Sequence, residues 1–251
     1  MPFSLKNKIA WVTGSSTGLG KVIALELGRA GAKVALNYSN NAARAEATLA
    51  EFRAAGCTGI MVRGDVTDEG EVRRMSAQIE KELGPVDILV PNATCAQPQK
   101  PIEEYDWAFY QSMLDFFIKS PFLLTRACLP GMKARKHGRI VNIGSEVFIR
   151  GVGNFSGYVA AKGGQAGWTR SMATELAPFG ITVNLVAPGW IPVERHVNDP
   201  QEQKDGYLNL VPAKRWGVPA DVAGAVVYFA SDEAAFVTGQ SVAVNGGLTV
   251  G

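Results

Sequence analysis

Seven short runs of apolar, largely β-branched residues alternate with longer segments of helical periodicity along this chain of 251 residues. Runs that stay apolar at successive positions are typical of strands buried on both faces. Such strands alternating with helices predict an α/β fold, a doubly wound parallel sheet of about seven strands with helices on both faces. The predicted strands are 9–13, 33–37, 60–63, 86–90, 140–143, 181–186 and 241–244.

Glycines mark the ends of the first predicted helices, because Gly31, Gly56 and Gly84 each follow a segment of helical periodicity. We expect a single domain over residues 1–251. The stretch 188–212 is rich in Pro, Asn, Asp and Gln, which predicts a long irregular loop, and such a loop suits a lid over a substrate cleft. The predicted helices are 18–29, 42–55, 68–83, 105–136, 158–177 and 219–230.

The charge of the chain is balanced, with 25 Lys and Arg against 23 Asp and Glu and a net charge of +2. This balance gives no broad attraction to a phosphate backbone, so we expect no nucleic-acid partner. The densest basic cluster, 133–139, is interpreted as a solvated helix end. No apolar stretch approaches the roughly 18 residues of a membrane span, so we expect no membrane partner.

Cysteine and histidine are too few and too scattered for a disulfide framework or a zinc site. The three cysteines, Cys57, Cys95 and Cys128, form no CxxC pair, and the chain has two histidines. The apolar run 9–12 is too brief for a signal peptide. We therefore expect a cytoplasmic protein in a reducing compartment, without a metal.

A glycine-rich segment follows the first predicted strand and opens the first predicted helix. Its spacing is Gly-x-x-x-Gly-x-Gly, which lets the backbone turn tightly and approach a pyrophosphate at a helix N-terminus. The same segment fits Gly-x-Ser-x-Gly, the nucleophile elbow of hydrolases, or a plain turn before a helix. A hydrolase is disfavoured because no earlier strand supplies an oxyanion loop and the partner could only be His137 or His196. The predicted dinucleotide-binding residues here are Gly14, Ser15, Ser16, Thr17, Gly18, Leu19 and Gly20.

A serine, a tyrosine and a lysine form the second candidate group. Tyr158 and Lys162 are four residues apart at the start of a predicted helix, so both side chains face one site. A nearby ammonium favours the phenolate, which would let Tyr158 exchange a proton with an alcohol or carbonyl oxygen. Ser145 follows the strand 140–143, and its hydroxyl is placed to hydrogen-bond the same oxygen. Each element alone is a weak signal, but their combination with the glycine loop predicts catalysis.

With these motifs the chain resembles the short-chain dehydrogenase/reductase family over essentially its whole length. It is most similar to that family's 3-oxoacyl-carrier-protein reductases and sugar or polyol dehydrogenases. The resemblance implies a single Rossmann-type domain and hydride transfer between nicotinamide and a carbonyl carbon. It is carried by the glycine loop, 64–66, Asn92, Ala93, Ser145, Tyr158, Lys162, Pro188, Gly189 and 244–247.

The resemblance also implies roles for individual residues. Lys162 would hold the nicotinamide ribose and lower the pKa of Tyr158, and Ile191 would meet the carboxamide. Asp65 would meet the adenine, with Val66 beside it. The predicted cofactor site adds Asn37, Asn92, Ala93, Pro188 and Gly189 to these residues and to the glycine loop.

Four positions depart from the family pattern. Pro91 and Thr94 flank Asn92-Ala93 where the family has Asn-Asn-Ala-Gly, and Val193 stands in place of a threonine that holds the carboxamide. Phe117 aligns with the asparagine of the family's proton relay, although Trp107 lies farther upstream than usual, as an insertion or bulge would explain. Because Ser145, Tyr158 and Lys162 are intact, we expect an enzyme whose relay runs by another route.

NADP(H) is the expected cofactor, with NAD(H) as the alternative. NAD-preferring sites usually place an acidic residue at the end of the second strand, to hold the ribose hydroxyls. Here 37–41 reads Asn-Tyr-Ser-Asn-Asn, the first acid is Glu46, and Arg44 could receive a 2′-phosphate. Against this preference stands Thr17, where many NADP-dependent members of the family carry arginine.

Three hypotheses for function remain open at this point. The first is an oxidoreductase acting on a small polar carbonyl or alcohol, because Trp190, Arg195 and His196 lie in the predicted lid and Glu146 follows Ser145. The others are a 3-oxoacyl-carrier-protein reductase and a nucleotide-binding scaffold with little catalysis. We also expect a homotetramer, because the apolar segments 223–229 and 241–244 lie where the resemblance places a subunit interface.

Overall fold

All seven strands lie parallel in one sheet, in the order β3-β2-β1-β4-β5-β6-β7, in the computed structural model, which describes residues 3–250. Ala10 of β1 pairs with Val34 of β2 on one side and with Ile88 of β4 on the other. The chain thus reverses its direction of winding between β1 and β4, which opens a crevice at the carboxyl ends of the strands. The strands are β1 Ile9–Val12, β2 Lys33–Tyr38, β3 Gly59–Arg63, β4 Ile88–Val90, β5 Gly138–Ile143, β6 Ile181–Pro188 and β7 Ser241–Val244.

Helices cover both faces of this sheet, as the alternation of strands and helices predicted. Along β1, Trp11 belongs to the core on one face and Val12 to the core on the other. Helices α1, α2 and α9 pack on one face, and α3, α5 and α7 pack on the opposite face. The helices are α1 Gly18–Arg29, α2 Ala42–Ala54, α3 Glu69–Glu82, α4 Trp107–Leu114, α5 Ser120–Arg135, α6 Val147–Arg150, α7 Ser156–Leu176, α8 Gln201–Leu210 and α9 Pro219–Ala230.

The predicted helix 105–136 is divided in the structure. Asp106 caps the start of α4, since its Oδ1 accepts a hydrogen bond from the Phe109 N–H at 2.7 Å. A π-helical segment, Asp115–Lys119, then separates α4 from α5. A π turn adds a residue to a helix without a Pro or Gly signal, so apolar periodicity does not reveal it. This segment is the bulge that the spacing between Trp107 and Phe117 suggested.

The prediction that 188–212 is irregular throughout is wrong. The segment contains a short 3₁₀ helix, Glu194–His196, and the regular helix α8. None of the α8 residues is buried, and Gly206 lies in its interior. The sequence of α8 therefore lacks the apolar stripe on which helix prediction depends.

The interpretation of 133–139 as a solvated helix end is also wrong in part. Helix α5 ends at Arg135, but Arg139 lies in β5 and is only 3% exposed. Its guanidinium donates to the backbone oxygens of Ser231 at 3.2 Å and Gly138 at 3.0 Å. Arg139 therefore stabilises the sheet end and contributes nothing to a basic surface. Within residues 3–250, no helix has both the length and the apolar character needed to cross a membrane.

Candidate active site

The glycine loop lies so close to the end of β4 that side chains have no room there. A Cβ atom on Gly14, whose φ is +59°, would lie 2.7 Å from the Ala93 Cα. A Cβ atom on Gly20 would lie 2.3 Å from the Asn92 Nδ2. Real Cβ atoms essentially never approach other heavy atoms so closely, so these two positions require glycine.

Side-chain hydrogen bonds fix the shape of this loop. The Thr13 Oγ1 accepts from the N–H groups of Asn92 at 2.9 Å and Ala93 at 3.0 Å. The Asn37 Oδ1 accepts from the Gly14 N–H at 3.0 Å, and the Asn37 Nδ2 donates to the Gly64 oxygen at 3.1 Å. Asn37 and Asn92, both predicted to bind cofactor, are thus occupied in shaping the loop.

The start of α1 suits an anion such as a pyrophosphate. Thr17 precedes the helix without a side-chain capping bond, and the first turn carries no acidic residue. The backbone N–H groups of this turn therefore keep their partial positive charge. Ser15 is buried, and its hydroxyl donates to the Val12 oxygen at 2.8 Å, while the Ser16 oxygen accepts from Thr48 at 2.9 Å. The hydroxyls of Ser15 and Thr48 therefore hold the loop in shape, and its backbone N–H groups remain available to a ligand.

A cavity of about 590 Å³ opens beside the loop, at the carboxyl ends of β2 and β3. The Asp65 carboxylate is held by the backbone N–H and the hydroxyl of Thr67, each at 2.8 Å, and Val66 is buried behind it. Sequence reasoning missed two cations of this cavity, which come from β3 and α3, and named Arg44, which does not line it. The lining residues are Ser39, Asn40, Arg63, Asp65, Glu71 and Arg74.

Ser145, Tyr158 and Lys162 come together at the other end of the crevice, as predicted. Ser145 follows β5, and the other two residues lie in the first two turns of α7. Burial raises the pKa of Tyr158, and both a hydrogen bond from Ser145 and the positive charge of Arg195 oppose that rise. The pKa of Tyr158 therefore lies above its ordinary value, whereas the sequence predicted that Lys162 would lower it.

The ammonium of Lys162 has two hydrogen-bond acceptors and lies 5.7 Å from the centroid of the Tyr158 ring. It donates to the Ile143 oxygen at 2.6 Å and to the Gln165 Oε1 at 3.1 Å. It also lies 3.9 Å from the centroid of the Phe117 ring, a cation–π contact. Burial lowers the pKa of Lys162 to about 7, and the positive charge of Arg195 acts in the same direction. Gln165, which sequence reasoning missed, is three residues along the same helix, so helical spacing was a usable signal.

Phe117 is brought to this site by the π-helical segment. Its ring is buried and also packs edge-on against Tyr158, with centroids 5.2 Å apart. Phenylalanine has no hydrogen-bonding atom, so its side chain cannot carry protons between Lys162 and solvent. The location of Phe117 beside Lys162 agrees with its alignment to the relay position. Unlike the relay asparagine, however, it offers no hydrogen bond there.

The residues that follow β6, from Gly189 onward, cover the crevice on the side opposite the carboxyl ends of the strands. Gly189 donates its N–H to the Val244 oxygen, and Ile191 is buried. A Cβ atom on Gly18 would lie 3.5 Å from the Val193 Cγ2 and 3.6 Å from the Glu194 Oε2, so the segment after Pro188 borders the glycine loop. The two predicted halves of the cofactor site therefore face one groove.

Pro91 is tolerated at the end of a central strand because the sheet no longer needs its N–H. Pairing between β4 and β5 ends at Leu89 and Ile140. The Pro91 oxygen still accepts a bond from the Ile143 N–H at 3.2 Å. Among residues 3–250, no group of three or more His, Cys, Asp and Glu is arranged to hold a metal.

A glycine loop after β1 and a Ser–Tyr–Lys group beyond β5, at one crevice of a parallel sheet, define a dinucleotide-dependent oxidoreductase. A family model described as Enoyl-(Acyl carrier protein) reductase matches residues 14–249. The chain belongs to the short-chain dehydrogenase/reductase family. It is therefore an NAD(P)(H)-dependent enzyme that transfers a hydride between nicotinamide and a carbonyl or alcohol, and the hydrolase and scaffold hypotheses lose their support.

Relatives with known names fall into two groups. The chain is 35% identical over 249 residues to 2-dehydro-3-deoxy-D-gluconate 5-dehydrogenase of Formosa agariphila, covering 98% of this chain and 94% of that protein. It is 38% identical over 248 residues to the 3-oxoacyl-[acyl-carrier-protein] reductase of Escherichia coli, covering 98% of both. A structure of 3-oxoacyl (acyl-carrier-protein) reductase from Agrobacterium tumefaciens with NADP bound superposes with a TM-score of 0.90 at 31% identity, covering 98% of this chain and 95% of that one.

Proposed function

We propose that this enzyme prefers NADP(H) and acts on a small, oxygen-rich carbonyl compound or secondary alcohol that carries a carboxylate. The observation that carries this substrate class is the position of Arg195. Its positive charge reaches both Tyr158 and Lys162, since it lowers the pKa of each. Arg195 is an exposed residue of the segment above the crevice, and its Nε donates to the His196 Nε2 at 3.0 Å, so its outer guanidinium nitrogens are available to pair with an anionic substrate.

Tyr158, Ser145 and Lys162 are the proposed catalytic residues. Nicotinamide supplies or accepts the hydride when the cofactor is bound. During reduction, the Tyr158 hydroxyl gives its proton to the carbonyl oxygen, and the Ser145 hydroxyl donates a hydrogen bond that orients the same oxygen. Lys162, held by Ile143 and Gln165, presents its charge where a ribose hydroxyl would lie. The segment 188–212 acts as the lid that covers these groups.

The preference for NADP(H) is supported by the two cations of the cavity beside the glycine loop. Arg63 donates through Nε to the Ser39 oxygen at 3.3 Å, which leaves the outer guanidinium nitrogens free for a 2′-phosphate. Arg74 lies on the same cavity. No acidic residue lies at the end of β2, although Asp65 and Glu71 line the same cavity and the Glu71 carboxylate lies 3.5 Å from the Arg74 Nη2.

Equilibrium binding of NADPH and NADH, followed by nicotinamide fluorescence, tests this preference. We expect NADPH to bind more tightly, and Arg63→Ala to weaken NADPH by roughly tenfold or more, the scale of a charged hydrogen bond. NADH affinity should stay within about twofold in Arg63→Ala. Arg73→Ala is the matched control, because Arg73 pairs with Glu69 on α3 and does not line the cavity. Tighter binding of NADH by the unmodified enzyme contradicts the proposal.

The substrate class is tested by absorbance at the nicotinamide band against sugar acids, neutral polyols and 3-oxoacyl thioesters. We expect turnover of keto acids or hydroxy acids of the gluconate type. Arg195→Ala should raise KM for these acids, and Arg195→Lys should restore part of the affinity. Equal turnover of acids and of their neutral analogues contradicts a carboxylate-binding role.

A 3-oxoacyl-carrier-protein reductase is the second candidate, favoured by the 38% identity to the Escherichia coli enzyme. An acidic carrier protein requires a basic surface near the site. With Arg139 buried in β5, the cluster 133–139 is a weaker surface of that kind than the sequence suggested. Faster turnover of 3-oxoacyl thioesters than of any sugar acid decides for this candidate.

We also propose a homotetramer and a cytoplasmic location. Strand β7 forms an edge of the sheet, and Val242 on it is 40% exposed. Along 223–229, by contrast, Ala223, Val226 and Phe229 belong to the core, so only the remaining face of α9 is free to meet a partner. Light scattering at micromolar concentration tests the assembly, and a monomer contradicts it.

The cytoplasmic location is supported by three free cysteines and is tested by cell fractionation.

A further inference from the structure

One tyrosine hydroxyl joins three parts of the molecule beside Ser145. The Tyr207 hydroxyl, on α8, donates to the Glu146 Oε1 at 2.9 Å and accepts from the Trp190 N–H at 2.7 Å. A Cβ atom on Gly189 would lie 2.4 Å from the same hydroxyl oxygen. Helix α8, the peptide after β6 and the residue that follows Ser145 therefore meet at a single atom.

The electrostatics of this junction keep the hydroxyl protonated. Glu146 is 1% exposed, and its Oε1 also accepts from the Arg150 Nη1 at 3.0 Å. Burial raises the pKa of Tyr207, and the negative charge of Glu146 raises it further, while the bond from the Trp190 N–H opposes the rise. The phenol therefore remains a hydrogen-bond donor to Glu146 at neutral pH. Loss of this donor would leave the buried Glu146 carboxylate with Arg150 as its remaining partner, and a buried acceptor that loses a partner destabilises the fold.

Helix α8 has little else to hold it in place. None of its residues is buried, and within residues 3–250 the bond from Tyr207 to Glu146 is the one side-chain hydrogen bond that links α8 to the chain before Pro188. Two aromatic neighbours fix the ring itself. The Trp190 ring centroid lies 5.5 Å from the Tyr207 centroid, and the Trp216 ring stacks on Tyr207 at 5.6 Å and 13°.

We propose that Tyr207 and Glu146 are positioning residues that form a latch between the lid and the catalytic serine. The latch holds α8 against Glu146, fixes the Gly189–Trp190 peptide beside the cofactor groove, and restrains the backbone next to Ser145. The effect of the latch on kinetics rests on the proposed function. The latch itself does not, because the accessibility of the lid can be measured without substrate.

Limited trypsin digestion and steady-state kinetics of Tyr207→Phe test the latch. This variant removes both hydrogen bonds and keeps the ring, so cleavage after Arg195 and Lys204 in the lid should accelerate roughly 5- to 30-fold, as expected for one or two lost hydrogen bonds. The value of kcat/KM should fall by a similar factor, while the apparent pKa that governs kcat stays in place. Tyr228→Phe is the matched control, because within residues 3–250 the Tyr228 hydroxyl forms no hydrogen bond.

Two variants of the carboxylate complete the experiment. Glu146→Gln keeps an acceptor for Tyr207 and should be cleaved at nearly the rate of the unmodified protein, whereas Glu146→Leu should behave like Tyr207→Phe. If Tyr207→Phe is cleaved no faster than the unmodified protein, the latch does not exist. If the unmodified protein turns over none of the substrates, the proposed substrate class fails, and digestion alone still decides on the latch.

Discussion

The two halves of the sheet form their share of the crevice in different ways. In the nucleotide half, residues 9–93, backbone shape dominates, since Gly14 and Gly20 let the loop lie against the end of β4. In the catalytic half, side chains from separate elements converge, as where Phe117 and Lys162 meet. The nucleotide half therefore depends on the volume left free by its glycines, and the catalytic half depends on the functional groups of its side chains. Substitutions can test each dependence.

At the crevice, burial changes pKa values in the catalytic half. The groups affected are Cys95, Tyr158, Lys162, His196 and Tyr207. The pKa of such a buried group changes when a single neighbouring atom is removed, whereas the stability of a glycine loop changes when side-chain volume is added. Substitutions in each half can separate these two kinds of sensitivity.

The largest effect is expected from one oxygen atom in the catalytic half. Tyr158→Phe removes the proposed acid/base and keeps the ring that packs on Phe117 and Phe155. Turnover should fall by roughly 100-fold or more, the usual scale for loss of general acid–base catalysis. Affinity for the reduced cofactor, measured in the same preparation, should be unchanged. Near-normal turnover of this variant rules out Tyr158 as the acid/base.

Phe117→Asn places the family's relay residue in a buried apolar site. Because the ring packs on both Tyr158 and Lys162, its loss should reduce the free energy of unfolding by about 3 kcal/mol, as for other large core side chains. Denaturant unfolding measures this loss. We expect no gain in turnover and an unchanged solvent deuterium isotope effect, because the enzyme already delivers protons by another route.

The control for this variant is Phe117→Leu, which keeps apolar volume and removes the ring face from Lys162. A cation–π contact of about 1 kcal/mol should be lost, and the pKa of Lys162 should fall further. If Phe117→Asn instead works faster with a smaller isotope effect, proton supply limits the natural enzyme and our expectation is wrong.

Stability should depend on pH through Lys162. Its pKa is lowered from 10.5 to about 7 in the folded protein, so the unfolded chain binds more protons between those values. Folding stability should therefore rise with pH across this window, by up to about 1.4 kcal/mol per pH unit, relative to Lys162→Met. Denaturant unfolding of both proteins at pH 7.5 and 9.5 measures the difference. Lys81→Met, an exposed lysine on α3, is the matched control, and parallel profiles for Lys162→Met contradict the shifted pKa.

Two glycine-to-alanine variants compare loop and lid. Gly20→Ala forces a methyl group against Asn92 and should cost about 1–3 kcal/mol of stability and weaken cofactor binding. Gly206→Ala, in the interior of α8, places the new Cβ where no atom outside the adjacent helix backbone lies within 4 Å, and it should stabilise the fold by up to about 1 kcal/mol. Thermal unfolding measures both changes. Opposite signs support the contrast between the halves, and a tolerated Gly20→Ala contradicts it.

The sequence predicts the sheet well because its signals are local. Predicted and observed strands agree to within two residues at every end, and the glycine spacing identifies the loop. The predicted catalytic residues Ser145, Tyr158 and Lys162 lie together for a similar reason, since helical spacing joins two of them.

What the sequence missed depends on contacts between distant elements. The π-helical segment Asp115–Lys119 has no composition signal, so the contact of Phe117 with Lys162 could not be derived. Arg63 and Arg74 meet only because β3 and α3 end at one cavity. The pKa of Tyr158 was expected to fall because of Lys162, but burial is a property of the folded chain and raises it.

The strand order has a consequence for the chain while it is still being synthesised. Strands β3, β2, β1 and β4, together with Asn92, are complete once residue 93 has been added, so the nucleotide half can pair before the catalytic half exists. Until β5 emerges, β4 is an open edge that could pair with other nascent chains. This edge has only three residues, and Pro91, which follows it, offers no N–H. We therefore expect Pro91, which stands just after this central strand, to disfavour pairing of β4 with other chains during synthesis.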